Sequence, residues 1–341
     1  MTSLILPTPI PARSISTSEL NQKIHNPQNW VIKQIHHDFS KYDKFSSQEA
    51  IETFEKTNTD DWFVLFMIKD GKIKYHKKQQ HMNGAANYAV EFYANILKYL
   101  AEKKHIKSLV FNMRLTDTIP TDYSQSNIRD FAPILAVTTN SEKHIDKDVI
   151  LIPDWMNLES SHKTFTSISK ANKKFPWENK IDTVFWRGGE ADVTGYRHKI
   201  VDLSNTMKHQ GIDAQFTYGP NASSEYVAPK DHIPYKFQIN IDGHTAAWER
   251  PVWQLQSNSV VLKQHSPLIQ WYYRQLKPDV HYIDVGENPE DILKILSQYN
   301  DEELKKIAEQ SQKFALENLM IEDMMSYLIL VLQKYERLQN S

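Results

Sequence analysis

Two arginine-containing motifs have the residue types that bind a phosphate or diphosphate group. Arg187-Gly188-Gly189 follows a predicted strand and precedes a predicted helix, and Arg197 lies near the start of that helix. Glycines allow the backbone to approach an anion, while arginines and a helix N-terminus supply positive potential. The motif matches neither G-x-G-x-x-G nor a Walker loop, so a plain tight turn is an equally good interpretation. Two arginines at one helix start suit a diphosphate better than a carboxylate.

A second motif occupies the corresponding place after the next predicted strand. It comprises Asp242-Gly243-His244 and then Trp248-Glu249-Arg250-Pro251. Taken alone, it is equally well explained as a helix cap with a surface arginine. Two arginine sites at strand ends that face one cleft indicate a binding site more specifically than either motif does alone. They predict a clamp for the diphosphate of a nucleotide sugar, with no need for a metal ion.

The candidates for a general base are Asp117 and Asp122, in the loop after a strand predicted over residues 108–112. A sugar hydroxyl is a weak nucleophile, so an inverting transfer needs a base aligned against the anomeric carbon. Base and leaving group lie on opposite faces of the reacting sugar. We therefore expect the base in the first domain and the clamp in the second. Asp117 fits at a strand end, although an aspartate that only caps a turn is the commoner case.

Evidence for a metal site is weak. The chain has 14 histidines, but none forms a His-x-x-x-His pair flanking a glutamate on a clear helix. Asp146-Lys147-Asp148 matches the Asp-x-Asp pattern of metal-dependent sugar transferases, yet it precedes a strand at residues 149–152, whereas a metal loop should follow one. We interpret it as a solvated turn and expect no bound metal. A metal-dependent transferase using Asp146 and Asp148 is the competing hypothesis.

Alternating strand and helix patterns must position these residues. The first predicted element is a β-hairpin over residues 62–75 with its turn at Asp70-Gly71. A helix with an apolar face is predicted to follow it. Further strands are predicted over residues 108–112, 133–137, 149–152, 183–186, 214–217, 235–241, 260–263 and 281–285. Further helices are predicted over residues 196–210 and 267–276, from Pro251, from Pro289, and over 321–338.

This alternation predicts an α/β fold with parallel sheets covered by helices on both faces. Two such units in series predict two Rossmann-like domains and a cleft, with ligands at the carboxyl ends of the strands. We place the acceptor-side domain at residues 1–165 and the nucleotide-binding domain at 166–318. Residues 319–341 then form a helix that packs back on the first domain.

Composition narrows the class of protein. The 341 residues contain 40 Lys plus Arg against 42 Asp plus Glu, and they contain no cysteine. A net charge of −2 is unlike the strong basic excess of general nucleic-acid binders. Cysteine chemistry is excluded, and no apolar run approaches the roughly 20 residues of a spanning helix. The N-terminus lacks the pattern of a secretory signal, so we expect a cytoplasmic protein.

Several short stretches, in a fixed order, resemble glycosyltransferase family 90, which contains capsule-associated transferases and Rumi-type protein O-glucosyltransferases. The likeness is clearest from about Leu109 to the end of the chain. The stretches are Pro176-Trp177 and Val184-Phe-Trp-Arg-Gly188, Asp231-His232 with Tyr235-Lys-Phe237, Ile239-Asn-Ile-Asp-Gly243, Trp253-Gln-Leu255 with Ser259-Val-Val-Leu-Lys263, and Leu276-Lys-Pro278 with His281-Tyr282.

The resemblance implies a GT-B arrangement, a UDP-sugar as co-substrate, inversion at the anomeric carbon, and no required metal or other cofactor. It implies that Asp117, after Asn112-Met-Arg114, is the base. The family's Arg-Gly-Ser-Arg becomes Arg187-Gly-Gly-Glu190, so Arg197 or Lys199 would replace the second arginine. The expected donor-binding residues are Arg187, Gly188, Gly189, Arg197, Asp231, His232, Asp242, Gly243, His244, Arg250 and Lys263.

The predicted reaction is transfer of one sugar to a hydroxyl of a cell-surface glycan or lipid-linked oligosaccharide, such as a lipopolysaccharide-like acceptor. Secreted animal members of the family carry signal sequences and cysteines, which this chain lacks, so a disulfide-rich protein acceptor fits less well. The expected location is the cytoplasm, with peripheral contact at the inner membrane. Two alternatives remain open: a protein O-glucosyl- or xylosyltransferase, and a non-catalytic glycan-binding protein of the same fold. Two departures from the family pattern motivate the second alternative: Glu190 in place of the second arginine, and the displacement of the aspartate to Asp117.

Overall fold

The computed structural model describes residues 15–56, 63–78, 84–115, 132–142, 149–207, 211–246 and 248–340, in a mixed α/β fold. The α-helices are α1 (Thr17–His25), α2 (Asn29–Phe39), α3 (Ser47–Lys56), α4 (Gly84–Glu102), α5 (Trp155–Lys174), α6 (Tyr196–Thr206), α7 (Arg250–Gln256), α8 (Ile292–Leu296), α9 (Asp301–Asn318) and α10 (Ile321–Gln339). The strands are β1 (Phe63–Lys69), β2 (Lys72–Lys77), β3 (Leu109–Arg114), β4 (Ile134–Ala136), β5 (Thr139–Asn140), β6 (Val149–Leu151), β7 (Ile181–Gly189), β8 (Ile212–Tyr218), β9 (Tyr235–Asn240), β10 (Val260–Lys263), β11 (Leu268–Ile269) and β12 (Ile283–Asp284).

The chain divides into two compact units, and both are discontinuous in sequence. The first unit contains the residues up to Glu159, Ile269–Trp271 and Ile321–Ser341. The second contains Ser160–Leu268 and Tyr272–Met320. Helix α5 therefore begins in one unit and ends in the other. Among the described helices, none combines the length and the apolar character needed to cross a membrane.

The first unit holds a mixed sheet in the order β2-β1-β3-β4-β6. Strand β1 pairs antiparallel with both β2 and β3, whereas β3, β4 and β6 run parallel. The predicted hairpin is confirmed, and its turn residues Asp70 and Gly71 have φ of 50° and 73°. The expectation of wholly parallel sheets is wrong here, because a two-residue turn returns the chain antiparallel to itself.

Helix α10 completes the core of the first unit, and the helix predicted over residues 321–338 is confirmed. Its Tyr335 is fully buried, with ring centroids 4.8 Å from Phe45 and 6.0 Å from Phe111. The side chain of Gln339 pairs with the main chain of Val110, accepting at 2.8 Å and donating at 2.7 Å. The last turn of the helix thus satisfies backbone groups of β3 that would otherwise lack a partner.

The second unit holds a wholly parallel sheet in the order β12-β10-β9-β7-β8, as the alternation predicted. Chain order places β7 first, then β8 on one side of it and β9, β10 and β12 on the other. The sheet therefore reverses its winding between β7 and β9. Open α/β sheets bind ligands at such a reversal, outside the carboxyl ends of the strands.

Two expectations about local structure are corrected. The Arg187-Gly188-Gly189 motif is the end of β7 rather than the residues after it, and residues 190–195 separate it from α6. Helix α6 also ends at Thr206, short of the expected Gln210. Pairing with β8 extends β7, because Gly188 and Gly189 still align with residues of that neighbour.

The helix predicted over residues 267–276 is wrong. Strand β11 and a 3₁₀ turn at Tyr273–Gln275 occupy that segment. Leu268, Trp271 and Tyr272 are buried in this segment, whereas Arg274 is exposed. Trp271 packs with its ring centroid 4.4 Å from that of Tyr327, within the first unit.

Candidate functional site

The candidate site lies at the carboxyl ends of β7 and β9, where the winding of the second unit reverses. Three arginines meet there: Arg187 on β7, Arg197 in the first turn of α6, and Arg250 as the first residue of α7. The structure therefore brings together the two arginine motifs that the sequence predicted to share one site. The three arginines differ in their hydrogen-bond partners, and we therefore describe the role of each one separately.

Arg197 joins the ends of the two strands. Its Nη1 donates to the Gly189 carbonyl at 2.8 Å, its Nη2 to the Ile241 carbonyl at 3.2 Å, and its Nε to the Asp242 carbonyl at 3.0 Å. Burial lowers the pKa of Arg197 to about 10, and the charge of Arg250 acts in the same direction. The guanidinium stays charged at neutral pH, held by carbonyl dipoles at the reversal of the sheet.

The N-terminus of α6 is already occupied by a carboxylate of the chain itself. Asp192 accepts from the backbone N–H of Thr194 at 2.7 Å, of Arg197 at 2.8 Å, and of Gly195. These are the donors that a bound anion would use at a helix start. In this structure Asp192 therefore occupies the position that a bound anion would take at this helix start.

Arg187 is bound within the sheet. Its Nη2 forms an ion pair with the Asp213 carboxylate at 2.8 Å, and its Nη1 donates to the carbonyls of Trp186 and Asp213. The guanidinium carbon lies 4.4 Å from the centre of the Phe185 ring. Its Nε is buried and has no hydrogen-bond partner among the described residues.

Arg250 has a buried donor to spare. Its Nη2 donates to the Arg187 carbonyl at 2.7 Å, and its guanidinium carbon lies 5.6 Å from the centre of the Trp253 ring. Within the described part of the chain, Nη1 is buried without an acceptor. Burial lowers the pKa of Arg250, while Glu249 and Tyr226 act in the opposite direction.

His232 lies beside these arginines as a neutral ring. It is 1% exposed, with ring centroids 4.9 Å from Phe185 and 5.1 Å from Trp253. Burial, and then the positive charge of Arg250, lowers the pKa of His232 to about 3. Its Nδ1 is buried and has no partner among the residues that the structure describes.

The glycines of the site differ in how much they are needed. A Cβ on Gly188 would lie 2.5 Å from Cζ2 of Trp186, which is a buried ring. A Cβ on Gly243 would lie 3.0 Å from Nη2 of Arg197. A Cβ on Gly189 would meet nothing closer than 3.9 Å. Close packing therefore requires glycine at position 188, tightly constrains position 243 and leaves position 189 open.

Two further predicted residues lie at the same sheet edge but contact their own neighbours. Asp242 is 1% exposed, and its backbone N–H donates to Oε1 of Gln264 at 3.2 Å. Lys263 ends β10, where its Nζ donates to the Gln264 carbonyl at 3.2 Å and lies 5.2 Å from the Tyr273 ring centre. Both help to shape the edge of the sheet.

Asp231 and His244 are exposed, unlike the buried Arg187 and Arg250. Asp231 is exposed and pairs with the neighbouring Lys230 at 2.9 Å. His244 is also exposed. Of the adjacent Asp231-His232 pair, only the histidine joins the site, because the short 3₁₀ turn Pro229–His232 directs neighbouring side chains apart.

Glu190 is a site residue whose role the sequence did not reveal. Its Oε2 accepts from the backbone N–H of Asn221 at 3.0 Å, and its Oε1 accepts from Nδ2 of Asn221 at 2.5 Å and lies 3.1 Å from Nε2 of His198. The Asn221 bonds, with a smaller contribution from His198, lower the pKa of Glu190. The only signal in the sequence was its departure from the Arg-Gly-Ser-Arg pattern.

Four aspartates considered from the sequence lie outside the described residues: Asp117, Asp122, Asp146 and Asp148. The assignment of Asp117 as the base stays a prediction. Within the described residues, no group of three or more histidine or carboxylate side chains could hold a metal ion.

Comparison with known proteins identifies the family. Residues 24–341 match the sequence model of a family described as Glycosyl transferase family 90. The chain belongs to this family. The resemblance inferred from the short motifs is thereby confirmed, and these motifs lie within the matched range.

Among its relatives, the chain is similar to Protein O-glucosyltransferase 2 of Danio rerio, with 36% identity over 176 residues, covering 48% of this chain and 34% of the relative. It is also similar to Protein O-glucosyltransferase 3 of Homo sapiens, with 26% identity over 323 residues, covering 90% of this chain and 62% of the relative. The match thus spans less than two thirds of either relative.

A crystal structure of a glycosyltransferase from Rickettsia africae gives a TM-score of 0.38 at 12% identity, covering 66% of this chain and 69% of that one. That score is too low to show a shared fold.

Proposed function

We propose that this chain is an inverting glycosyltransferase that moves a sugar from a UDP-sugar to a hydroxyl group of a cell-surface glycan or glycolipid. Membership of glycosyl transferase family 90 supports the reaction class. The names of the relatives favour glucose as the first sugar to test. The arginine cluster of the second unit supports a diphosphate-containing donor.

The observation that carries the proposal is the pair of unsatisfied donors at the sheet reversal. Nη1 of Arg250 and Nε of Arg187 are both buried without partners in the described residues. Leaving a buried donor unsatisfied costs about 1–3 kcal/mol, and more for a charged group. A diphosphate presents several negatively charged oxygens and would satisfy such donors with charge-assisted hydrogen bonds.

In the proposed mechanism, Asp117 accepts the proton of the acceptor hydroxyl as its oxygen forms a bond to the anomeric carbon. The bond between that carbon and the diphosphate oxygen breaks, and its electron pair leaves with UDP. Arg250 faces the negative charge that grows on the diphosphate. A preorganised donor of this kind contributes about 3–4 kcal/mol to transition-state stabilisation.

The proposal includes an organisation of the chain. We assign acceptor binding to residues 1–165, donor binding to residues 166–318, and a packing role to residues 319–341, as two Rossmann-like domains of the GT-B type. We further propose that the protein acts in the cytoplasm and peripherally at a membrane. No metal is needed in this scheme, because arginine side chains supply the positive charge.

The decisive experiment measures UDP release by the purified chain in EDTA, with UDP-glucose and a lipid-linked oligosaccharide as acceptor. Asp117→Asn should lower turnover at least 100-fold, because a general base contributes 10²–10⁴-fold. Its affinity for UDP should stay within about twofold, since the base does not hold the diphosphate. Asp122→Asn, in the same loop, is the matched control and should keep its activity. An active Asp117→Asn variant would refute the assignment.

The names of the relatives favour a second acceptor, a hydroxyl group of a protein. The same assay distinguishes the two, with the lipid-linked oligosaccharide in one arm and a folded protein domain in the other. Glucose recovered on the protein alone would establish protein O-glucosylation. UDP binding without release in either arm would instead indicate a non-catalytic glycan-binding protein.

A further inference from the structure

We propose that the rings of Tyr88 and Trp155, with Glu159 beside them, form an aromatic platform that binds a neutral pyranose ring of the acceptor glycan. All three residues lie in the first unit. The inference rests on the proposed function, because it takes the acceptor to be a glycan. It deepens that proposal by naming the residues that contact the glycan and the chemistry that they recognise.

The two rings meet where two helices begin. Tyr88 lies near the start of α4, and Trp155 is the first residue of α5. Their ring centroids are 5.2 Å apart, with planes inclined at 61°. Phe92 contacts both rings, at 6.5 Å from Tyr88 and 6.4 Å from Trp155, and it is only 7% exposed. A buried ring thus supports the pair from the side of the core.

The two rings of the aromatic platform are accessible. Tyr88 is 47% exposed and Trp155 is partly exposed, whereas Tyr93 of the same helix α4 is 1% exposed. Aromatic side chains contribute to a core by burying most of their large area. The outer part of the Tyr88 ring is not used in this way. It is therefore available to a ligand.

A carboxylate beside the rings favours a neutral ligand that carries hydroxyl groups. The Tyr88 hydroxyl donates to Oε1 of Glu159, one helical turn after Trp155. Burial, and then this hydrogen bond, raises the pKa of Tyr88 to about 12, so the hydroxyl keeps its proton at neutral pH. Sugar hydroxyls donate readily to a carboxylate, which has lone pairs for several donors. A phosphate group would instead be repelled by the charge of Glu159.

The topology of the first sheet places the aromatic platform at the edge where the acceptor is expected. Strands β2 and β3 are both antiparallel to β1, so they run parallel, and α4 is the crossover that joins them. The start of α4, with Tyr88, therefore lies toward the carboxyl ends of these strands. Trp155 follows the carboxyl end of β6, which runs parallel to β4 and β3. The proposed base, Asp117, follows the end of β3 in the sequence.

Stacking on a sugar ring suits this arrangement of groups. A pyranose with equatorial hydroxyls presents C–H groups on its faces, and the negative face of an aromatic ring attracts them. The hydroxyls around its edge stay free to donate hydrogen bonds, and Glu159 lies at the edge of the platform as an acceptor. The ligand that fits both features is a neutral sugar of the acceptor glycan.

Fluorine NMR of the full chain labelled with fluorotryptophan tests the inference, with cellotetraose as a neutral probe. Trp155→Phe identifies the Trp155 resonance. Cellotetraose should shift this resonance, and Tyr88→Ala should weaken the binding about tenfold, which corresponds to ~1.4 kcal/mol. Tyr88→Phe keeps the ring and should bind the probe like the unmodified chain. Tyr99→Ala changes a partly exposed tyrosine near the other end of α4, and it is the matched control, expected to leave the affinity unchanged.

Contrary results are clear in this experiment. The inference is overturned if millimolar cellotetraose leaves the Trp155 resonance unmoved, or if Tyr88→Ala binds the probe with unchanged affinity. It is also overturned if Tyr99→Ala weakens binding equally, or if inorganic phosphate shifts the resonance and the tetrasaccharide does not. The titration contains no donor, so it is independent of the proposed reaction. Probe binding at the aromatic platform, combined with no UDP release on any glycan acceptor, would refute the proposed reaction and confirm the platform.

The UDP-release assay adds a kinetic test of the aromatic platform. Tyr88→Ala should raise the KM for the lipid-linked oligosaccharide about tenfold, while kcat and the KM for UDP-glucose stay within about twofold, because the platform holds the acceptor alone. An equal rise in both KM values would contradict a role confined to the acceptor.

Discussion

At the scale of single residues, the three arginines show how position and hydrogen bonding separate tasks that the sequence presents as equivalent. Arg197 binds three backbone carbonyls, Arg187 pairs with Asp213, and Arg250 retains a buried donor. Their residue type and strand-end spacing identified the cluster correctly. Their different roles depend on which neighbouring groups each guanidinium contacts. The spacing of residues in the sequence does not predict those contacts.

Arg250→Ala should weaken UDP binding at least tenfold, because it removes the guanidinium with the spare donor. Arg250→Lys should recover only part of the affinity, since one ammonium cannot hold the Arg187 carbonyl and two phosphate oxygens with the geometry of a fork. Calorimetry with UDP measures both. Arg337→Ala changes an exposed residue in the last turn of α10; it is the control and should bind UDP normally. Full affinity in Arg250→Ala would exclude this residue from the donor site.

The buried His232 predicts a dependence of stability on pH. Its pKa falls from 6.5 to about 3 on folding, so between these values the unfolded chain binds more protons than the folded one. The free energy of unfolding should therefore decrease as pH falls through this window, by about 2 kcal/mol between pH 6.5 and 5 from this group alone.

Urea unfolding at pH 7.5, 6.5 and 5 checks this prediction on the unmodified chain and on His232→Phe. The phenylalanine keeps an aromatic ring between Phe185 and Trp253 but cannot take up a proton. Between pH 6.5 and 5, the free energy of unfolding of the variant should decrease by about 2 kcal/mol less than that of the unmodified chain. An identical acid dependence in the two proteins would show that His232 is not the residue responsible.

At the scale of elements, pairing between β7 and β8 determines where β7 ends, and therefore where the Arg187 motif of the site lies. Apolar runs correctly predicted β9, β10 and the helix α10, because burial of regularly spaced side chains dominates such segments. The end of β7 was misplaced, since its last residues are polar or glycine and are ordered by pairing with β8. The wrong helix over residues 267–276 was predicted from Ser266-Pro267 as a helix start, whereas the segment forms β11 and a 3₁₀ turn.

Gly188→Ala tests the packing at the end of β7. The added methyl group would lie 2.5 Å from the buried Trp186 ring, so overpacking should lower the free energy of unfolding by about 1–3 kcal/mol. Gly189→Ala is the neighbouring control. Its methyl group meets nothing within 3.9 Å, and the change should be less than ~1 kcal/mol in either direction. Urea unfolding measures both, and equal losses would contradict the packing argument.

At the scale of the whole molecule, the short motifs indicated the family, and the sequence predicted that the C-terminal helix packs on the first domain, whereas it did not predict that Ile269–Trp271 belong to the first unit. The first unit combines its N-terminal helices with α10, and it includes Ile269–Trp271 from the middle of the sequence. Helices α1, α2 and α3 were not predicted; α1 and α2 pack against α10, the last helix of the chain, and α3 packs against β1 and β3. Long-range packing of this kind leaves no local signal.

Tyr335→Ala should destabilise the first unit without altering the donor site. The side chain is fully buried, contacts aromatic rings including Phe45 and Phe111, and donates to the Pro133 carbonyl at 3.0 Å. Removing it should cost about 3–5 kcal/mol of unfolding free energy. UDP affinity, measured where the variant is folded, should stay within about twofold, since the donor-site contacts lie within the second unit. A large loss of affinity in the folded variant would contradict that separation.

Helix α10 gives the molecule an order of assembly during synthesis. The second unit has all of its residues once Met320 has left the ribosome, although its first residue follows most of the first unit in the sequence. The first unit must wait for Ile321–Gln339, whose buried side chains line its core. The part of the nascent chain made first is therefore completed last, with apolar helices and a strand edge uncovered in the meantime. While α10 is still inside the ribosome, the first unit, rather than the donor site, is exposed to aggregation and to chaperones.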